Sequence, residues 1–249
     1  MEATQLRIGT HVMKAQAVGF DKDGTLFDAL TYWRSIDRIR KELFLQIVGS
    51  NHANCWEATM GFKHSDDMNY NGVLAVATTT EEIVLVAGLM FQLYGWPWFQ
   101  CKKLAENLFA EADKKLDYSE AFQPAASVPD LLLKLKSADM AVGILTSDSS
   151  LRTEACMKLL GLQGELDFIV TPEKVERGKP SPDMVVSACE KLGIAPSGMI
   201  VVGDSIVDMR MAKEAGSIAV GLITHAGSEE ILSKEADYLI RSLTDIEIV

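Results

Sequence analysis

The chain has 249 residues, enough for one large domain or two small ones, and its 48% apolar and 24% charged residues are typical of a soluble globular protein. Its formal net charge of −11 argues against a nucleic-acid polymer or an anionic membrane as the main partner. A small anionic substrate stays compatible with that charge, because one site can differ in charge from the whole chain.

The sequence shows no pattern of a membrane anchor or of export. The longest apolar run, IVLVAGLMF at residues 83–91, falls far short of the roughly 20 residues that a membrane span needs. The N-terminal segment MEATQLRIGTHVMK has no apolar stretch of the kind found in signal peptides. The four cysteines lie far apart without a CxxC pair, so we interpret them as reduced thiols. Together these features predict a cytoplasmic protein with no membrane partner.

The first predicted strand, AQAVGF at residues 15–20, is followed at once by the acidic run DKDGTLFD at residues 21–28. The strand is apolar throughout, as is typical of a parallel strand buried on both faces. The carboxylates that follow it repel one another, and solubility alone gives little reason to crowd them there.

Residues 29–119 have a helical pattern. The segments at 30–49, 79–95 and 96–116 are long and amphipathic, and none has the pattern of a buried strand. All four tryptophans fall in this stretch, and we expect its aromatic side chains to form its core. The pattern predicts a helical cap domain, residues 29–119, inserted after the first strand.

From about residue 120 onward, short apolar runs alternate with amphipathic helical segments. Further buried strands are predicted at residues 140–146, 167–171, 199–204, 218–223 and 237–240. The helical segments between them begin at serines or prolines suited to a first turn, and several end at glycine. The alternation predicts an α/β fold with a doubly wound parallel sheet, formed by residues 1–28 and 120–249.

Chemically reactive side chains follow several of these strands. Asp21 follows the first strand, Thr146 ends the strand at 140–146, and Asp204 ends the strand at 199–204. Lys179 lies in the Gly/Pro-rich loop RGKPSPD. Because ligands of an open α/β sheet bind beyond the carboxyl ends of its strands, we expect these groups to share one crevice.

Carboxylates, a hydroxyl and an ammonium in one crevice suit phosphoryl transfer. The carboxylates can hold Mg²⁺, which favours oxygen ligands, and the lysine offsets phosphate charge. One aspartate can attack phosphorus, and a second can be general acid and then general base. In an extended segment residues i and i+2 project to the same side, so Asp21 and Asp23 can address one substrate, and Lys22 should point away.

The segments FDKDGTLFD, ILTSD, GKPSPD and VVGDSIVDM resemble, in this order, the four signature motifs of the haloacid dehalogenase-like (HAD) hydrolase superfamily. The resemblance covers the whole chain. A helical insert directly after the first motif is typical of members with a C1-type cap, such as phosphoglycolate phosphatase-like enzymes. The resemblance implies Asp21 as nucleophile, Asp23 as acid/base, Thr146 with Ser147 as phosphate binders, Lys179 as charge stabiliser, and Mg²⁺ held by Asp21, Asp204, Asp208 and the backbone carbonyl of Asp23.

Several activities are compatible with this set. True dehalogenases and phosphonatases lack the second aspartate of the first motif, which favours a phosphatase and leaves a phosphomutase open. A response-regulator receiver domain also accepts phosphate on aspartate, but such domains have about half this length and need no helical insert. A catalytically inactive binding protein ranks lower, because every expected catalytic residue is present.

The predicted cap would exclude water during the first transfer and select the substrate. Its most irregular part, residues 58–72, offers Lys63 and His64 as contacts for a second anionic group, and a solvated loop is equally compatible. The expected partner is therefore a small phosphorylated metabolite: a phosphoglycolate-like acid, a sugar phosphate or a nucleotide. A monomer and a homodimer both fit the sequence.

Overall fold

The computed structural model describes residues 2–63, 67–70, 72–125, 127–162 and 164–249. The chain divides into two compact units: Met1–Ala29 with Pro124–Val249, here called the core unit, and Leu30–Gln123, here called the insert. The sequence predicted an insert of residues 29–119, which differs from the observed Leu30–Gln123 by one residue at the start and four at the end. The role of the insert as a cap stays a prediction.

The chain begins with a β-hairpin that the sequence analysis missed. Strand β1 (Thr4–Ile8) pairs antiparallel with β2 (His11–Ala15), and β3 (Ala17–Phe20) follows after one residue. Every residue of β3 is buried, as expected for a strand covered on both faces.

Among the described residues of the insert, the regular structure is helical apart from two very short strands, β4 (Phe62–Lys63) and β5 (Asp67–Met68), which pair antiparallel. Its helices are α1 (Ala29–Val48), α2 (Ala53–Met60), α3 (Val73–Val76), α4 (Thr79–Tyr94), α5 (Trp98–Lys115) and α6 (Tyr118–Ala121). A 3₁₀ turn, Ser50–His52, joins α1 to α2.

A buried charge pair links three helices of the insert. Arg40 of α1 donates to both carboxylate oxygens of Glu82 on α4, at 3.0 and 3.1 Å. The guanidinium also lies over the ring of Phe109 on α5, 4.1 Å from its centroid. The expected aromatic core is correct for Trp56, which is fully buried, and wrong for Trp98, which is 46% exposed.

The remaining elements complete the core unit. In chain order they are α7 (Val128–Ser137), β6 (Ala141–Leu145), α8 (Ser150–Leu159), β7 (Phe168–Val170), α9 (Asp183–Leu192), β8 (Met199–Gly203), α10 (Ile206–Ala215), β9 (Ile218–Leu222), α11 (Ser228–Leu232), β10 (Tyr238–Ile240) and β11 (Ile246–Ile248). Further 3₁₀ turns occupy Pro172–Lys174, Pro196–Gly198 and Leu243–Asp245.

Six strands form one sheet in the order β10-β9-β8-β3-β6-β7, and every neighbouring pair is parallel. All six were predicted from the sequence, and the doubly wound α/β fold with a helical insertion is confirmed. Strand β3 lies between β8 and β6, so the carboxyl ends of these three strands meet at one edge. A second, antiparallel sheet has the order β11-β1-β2. None of the helices within the described ranges has the length and apolar character to cross a bilayer.

The pairing of β6 with β7 depends on a glycine. A Cβ added at Gly143 would lie 2.4 Å from both the ring and the backbone carbonyl oxygen of Phe168. We predict that Gly143→Ala lowers the free energy of unfolding by about 1–3 kcal/mol, because a methyl group overfills this contact. Urea unfolding measures the loss.

Gly88, in the middle of α4, is the matched control, since nothing lies within 4 Å of a Cβ added there. Gly88→Ala should be neutral or stabilising by up to about 1 kcal/mol, as alanine favours helix. Equal losses in both variants would contradict the close packing at Gly143.

Candidate active site

The carboxyl ends of β3, β8 and β6 carry the predicted site residues. Asp21 directly follows β3, and its backbone N–H donates to the carbonyl oxygen of Val202 in β8 at 2.8 Å. Asp204 directly follows β8, and Thr146 directly follows β6. The parallel sheet thus places three side chains, which lie far apart in the sequence, at neighbouring strand ends.

Lys179 joins two of the carboxylates. Its buried ammonium lies 2.5 Å from Oδ1 of Asp21 and 2.5 Å from Oδ1 of Asp208. Asp21, Asp204 and Asp208 each offer a carboxylate oxygen, and these oxygens all lie within 4.8 Å of one another. We call these four residues the carboxylate cluster, and the structure brings all of them together as the sequence predicted.

Local structure explains how the lysine reaches the cluster. Lys179 lies in the loop before α9, where Arg177 and Ser181 both donate hydrogen bonds to the Asp183 carboxylate, at 2.8 and 2.6 Å. These contacts tie the loop to the first turn of α9.

The turn after β3 packs directly on Asp204. Gly24 has φ +87°, and a Cβ there would lie 2.1 Å from a carboxylate oxygen of Asp204. The hydroxyl of Thr25 donates to the other oxygen at 3.4 Å. Only glycine fits at position 24, both for its left-handed backbone and for this contact.

Asp208 has a second role at the start of α10. Ser205 is the N-cap of this helix and forms a capping box with Asp208, whose Oδ2 accepts the Ser205 backbone N–H at 3.1 Å. Ser205, and not Asp204, is therefore the N-cap of α10. The cap fixes Oδ2 of Asp208 and leaves Oδ1 to Lys179.

The cluster holds more negative than positive charge in a buried space. Burial raises the pKa of Asp21 to about 7, although the Lys179 ammonium opposes the shift. Burial, and then the negative charges of Asp21 and Asp208, raise the pKa of Asp204 well above its usual value. Burial works against the Lys179 ammonium, but the Asp208 and Asp21 carboxylates outweigh it and raise the pKa of Lys179. The cluster therefore favours a cation added beside the lysine.

The donor set of the cluster fits Mg²⁺. All three candidate ligands are carboxylates, the hard oxygen donors that Mg²⁺ prefers, and their oxygens lie within 4.8 Å of one another. The cluster itself contains no cysteine or histidine that would favour zinc.

Asp23 is held by different partners from those of Asp21. Its Oδ1 accepts a hydrogen bond from the Lys22 ammonium at 2.5 Å, and that ammonium also lies 3.0 Å from Asp148. The expectation that Lys22 points away from Asp23 is wrong, because the chain turns there: the backbone N–H groups of Leu26 and Phe27 both donate to the carbonyl oxygen of Lys22. Strand alternation does not apply within a turn. Burial raises the pKa of Asp23, and Lys22 opposes that shift.

The predicted phosphate-binding and substrate-binding residues differ in burial and in how much of each the structure describes. The Thr146 side chain is buried, and its hydroxyl accepts the backbone N–H of Asp148 at 3.1 Å. Ser147 is half-buried in the same loop. Lys63 belongs to β4, but its side chain and the whole of His64 lie outside the described residues.

Sequence reasoning missed three buried charges: Lys22, Asp148 and Arg152. Asp148 accepts a hydrogen bond from Nε of Arg152 at 2.6 Å, and Nη2 of Arg152 lies 2.5 Å from the same carboxylate oxygen. One signal was available, since an aspartate four residues before an arginine can pair with it along a helix.

Comparisons with known proteins agree with the geometry. A family model described as haloacid dehalogenase-like hydrolase matches residues 15–216. The chain belongs to this family. As a HAD-like hydrolase it is 23% identical to phosphoglycolate phosphatase of Shigella dysenteriae over 93% of this chain and 90% of that protein. It is 35% identical to validoxylamine A 7'-phosphate phosphatase of Streptomyces hygroscopicus subsp. limoneus over 49% of this chain and 59% of that protein.

Several of the curated relatives align over only about half of their length, between 44% and 59%. A solved structure described as a predicted phosphoglycolate phosphatase from Haemophilus somnus superposes on this HAD-like hydrolase with a TM-score of 0.68 at 20% identity. The superposition covers 93% of this chain and 96% of that one, and it shows a shared fold.

The raised pKa of Asp21 predicts a pH-dependent change in stability. A carboxyl group with a folded pKa near 7 and an ordinary value of 3.8 stabilises the fold fully below about pH 4 and loses that contribution as pH rises towards 7. In EDTA, Asp21→Asn should therefore be more stable than the wild type at pH 7.5, on the order of 2 kcal/mol, with little difference at pH 4.

Urea unfolding at the two pH values measures this difference. Asp183→Asn is the control with the opposite sign, because hydrogen bonds from Arg177 and Ser181 lower the pKa of Asp183. That variant should be less stable than the wild type at pH 7.5. An Asp21→Asn protein that is also less stable at pH 7.5 would refute the charge imbalance of the cluster.

Proposed function

We propose that the protein is a Mg²⁺-dependent phosphomonoester hydrolase that works through a phosphoryl group carried on Asp21. The observation that carries the proposal is the buried Lys179 ammonium between Asp21 and Asp208. A phosphate that approaches Asp21 meets a positive charge already in place, and no reorganisation is needed to stabilise the charge of its oxygens.

In the first step, a carboxylate oxygen of Asp21 attacks phosphorus, and the bond from phosphorus to the ester oxygen breaks. The carboxyl group of Asp23 gives its proton to the departing oxygen, which leaves as an alcohol. The raised pKa of Asp23 supports this assignment, because a buried carboxyl group keeps its proton more readily.

In the second step, the Asp23 carboxylate takes a proton from a water molecule whose oxygen attacks the same phosphorus. The bond from phosphorus to Asp21 breaks, inorganic phosphate leaves, and Asp21 is restored as a carboxylate. Over the two steps one water is consumed for one alcohol and one phosphate, and Asp23 ends with the proton with which it began.

The remaining residues bind and orient. Asp21, Asp204 and Asp208 would hold Mg²⁺, with the backbone carbonyl of Asp23 as a further ligand. When bound, the metal supplies positive charge that neutralises phosphate oxygens and the carboxylates around them. The phosphate oxygens are held by Lys179, by the loop of Thr146 and Ser147, and by the backbone N–H groups after Asp21.

We further propose a small phosphorylated metabolite as the substrate. The relatives' names support this class, since they include a phosphoglycolate phosphatase and a validoxylamine A 7'-phosphate phosphatase. The core unit offers a phosphate site, so selection of the leaving group falls to the insert, with Lys63 as the first candidate. The cytoplasmic location inferred from the sequence stays a prediction.

The activity is tested by phosphate release from a panel of phosphomonoesters with purified protein. Turnover should require Mg²⁺, stop in EDTA and return when Mg²⁺ is restored in excess, because the three carboxylates otherwise leave the site too negative for a phosphate. Undiminished turnover in the chelator would contradict the requirement for Mg²⁺. No turnover of any ester would contradict the proposed hydrolysis of phosphomonoesters.

Substitution of Asp21 and of Asp23 should block different steps of the reaction. A reaction with ³²P-labelled substrate is quenched with acid, and the alkali-labile label on the protein is measured. The Asp21→Asn variant should carry no such label, because it lacks the attacking carboxylate oxygen. Asp23→Asn should carry more label than the wild type, because it forms the intermediate from an ester with a good leaving group and hydrolyses it about 100-fold more slowly. Label on Asp21→Asn would show that another residue is the nucleophile.

A further inference from the structure

Three buried charges form a line that begins beside the half-buried Asp23. The Lys22 ammonium, whose side chain has no exposure, lies between Oδ1 of Asp23 at 2.5 Å and Oδ2 of Asp148 at 3.0 Å. Oδ1 of Asp148 in turn accepts from the Arg152 guanidinium at 2.5 Å. We call Lys22, Asp148 and Arg152 the charge line. The charge line has two cations and one anion, so an ionised Asp23 brings the net charge to zero.

The charge line is tied to the fold at its far end. The backbone N–H of Asp148 donates to the hydroxyl of Thr146 at the end of β6, and the backbone N–H of Ser149 donates to the Asp148 carboxylate at 2.7 Å. Arg152 is almost fully buried in the first turns of α8. Lys22 is therefore held by Asp148, which is anchored to the end of β6 and to α8, as well as by Asp23.

Buried ion pairs are a poor source of stability, because the loss of hydration offsets most of the Coulomb attraction. Removal of Lys22 alone would still leave the Asp148 carboxylate buried, with Arg152 as its remaining cation. Besides its effect on stability, the contact with Lys22 fixes the position of Oδ1 of Asp23.

We propose that Lys22 is a positioning residue, which holds Oδ1 of Asp23 so that Oδ2 is presented for proton transfer. The proposal rests on the proposed function, in which Asp23 first gives a proton and later takes one. Lys22 does not touch the substrate. Asp148 and Arg152 keep Lys22 in place, since without them its flexible stem could adopt several rotamers.

A merely structural Lys22 would affect all substrates alike, through the amount of folded protein. A positioning Lys22 affects only those steps that need Asp23. The cleavage of phenyl phosphate needs a proton for its departing oxygen, whereas 2,4-dinitrophenolate leaves without one. The two esters therefore separate the two roles.

We expect Lys22→Met to lower kcat/KM for phenyl phosphate by about 100-fold and for 2,4-dinitrophenyl phosphate by less than about 3-fold. With the dinitrophenyl ester the variant should also accumulate labelled protein, because hydrolysis of the intermediate again needs Asp23. Asp148→Asn, which keeps the lysine and removes its anchor, should show the same pattern to a smaller extent.

Lys136→Met is the matched control. Lys136 forms a partly buried pair with Asp167 at 2.8 Å, next to the amino end of β6 and β7 and thus at the opposite edge of the sheet from the site. The control should lose stability in thermal unfolding and keep the kcat/KM of both esters.

A double-mutant cycle decides whether Lys22 acts through Asp23. In an Asp23→Asn background, Lys22→Met should cause no further loss with phenyl phosphate, because the group that it positions is already gone. Multiplied losses, an equal fall for the two esters, or unchanged kinetics in a folded Lys22→Met protein would each overturn the proposal.

Failure of the proposed function gives a different result. In that case the wild type releases no phosphate from either ester and takes up no label. Crystal structures of the wild type and of Lys22→Met then test the positioning directly: the Asp23 carboxylate should change its rotamer in the variant. An Asp23 carboxylate that stays in place without Lys22 would overturn the inference independently of any activity.

Discussion

One buried ammonium among three carboxylates is the interaction on which the site depends. Lys179 comes from a loop between β7 and α9, and it contacts Asp21 at the end of β3 and Asp208 in the first turn of α10. Its charge does not balance the three carboxylates. Burial, together with the negative charge of the neighbouring carboxylates, raises the pKa values of Asp21 and Asp204. A buried site with excess negative charge is costly to the empty protein and favourable to added cations. The same imbalance thus links stability, metal binding and the binding of a phosphate.

The two aspartates of the first motif contact different cations, although only one residue lies between them. Asp21 belongs to the carboxylate cluster, and Asp23 belongs to the line formed by Lys22, Asp148 and Arg152. This separation gives each carboxylate its own cation. A nucleophile and a proton carrier need different environments, and the turn that begins at Lys22 provides them within three positions of the chain.

Much of this arrangement was predictable from the sequence. Each strand of the six-stranded sheet is a short apolar run, and the parallel topology then brings Asp21, Asp204 and Thr146 to neighbouring strand ends. The β1–β2 hairpin was missed, because its alternation is short and only Leu6 and Ile8 of β1 are buried. The contacts of Lys22 were also not predictable, since the pattern of a strand was extended into a turn. Side-chain pairs such as Lys22 with Asp148 depend on tertiary packing, which no local pattern in the sequence specifies.

The most direct test of Asp21 as the phosphoryl acceptor is a crystal structure of the protein with Mg²⁺ and beryllium trifluoride. This ion forms a tetrahedral adduct on a carboxylate and resembles a bound phosphoryl group. The beryllium should be bonded to a carboxylate oxygen of Asp21, with Lys179 in contact with a fluoride. Beryllium bonded to Asp23 or Asp204, or bound without a bond to any carboxylate, would contradict the assignment of Asp21 as the nucleophile.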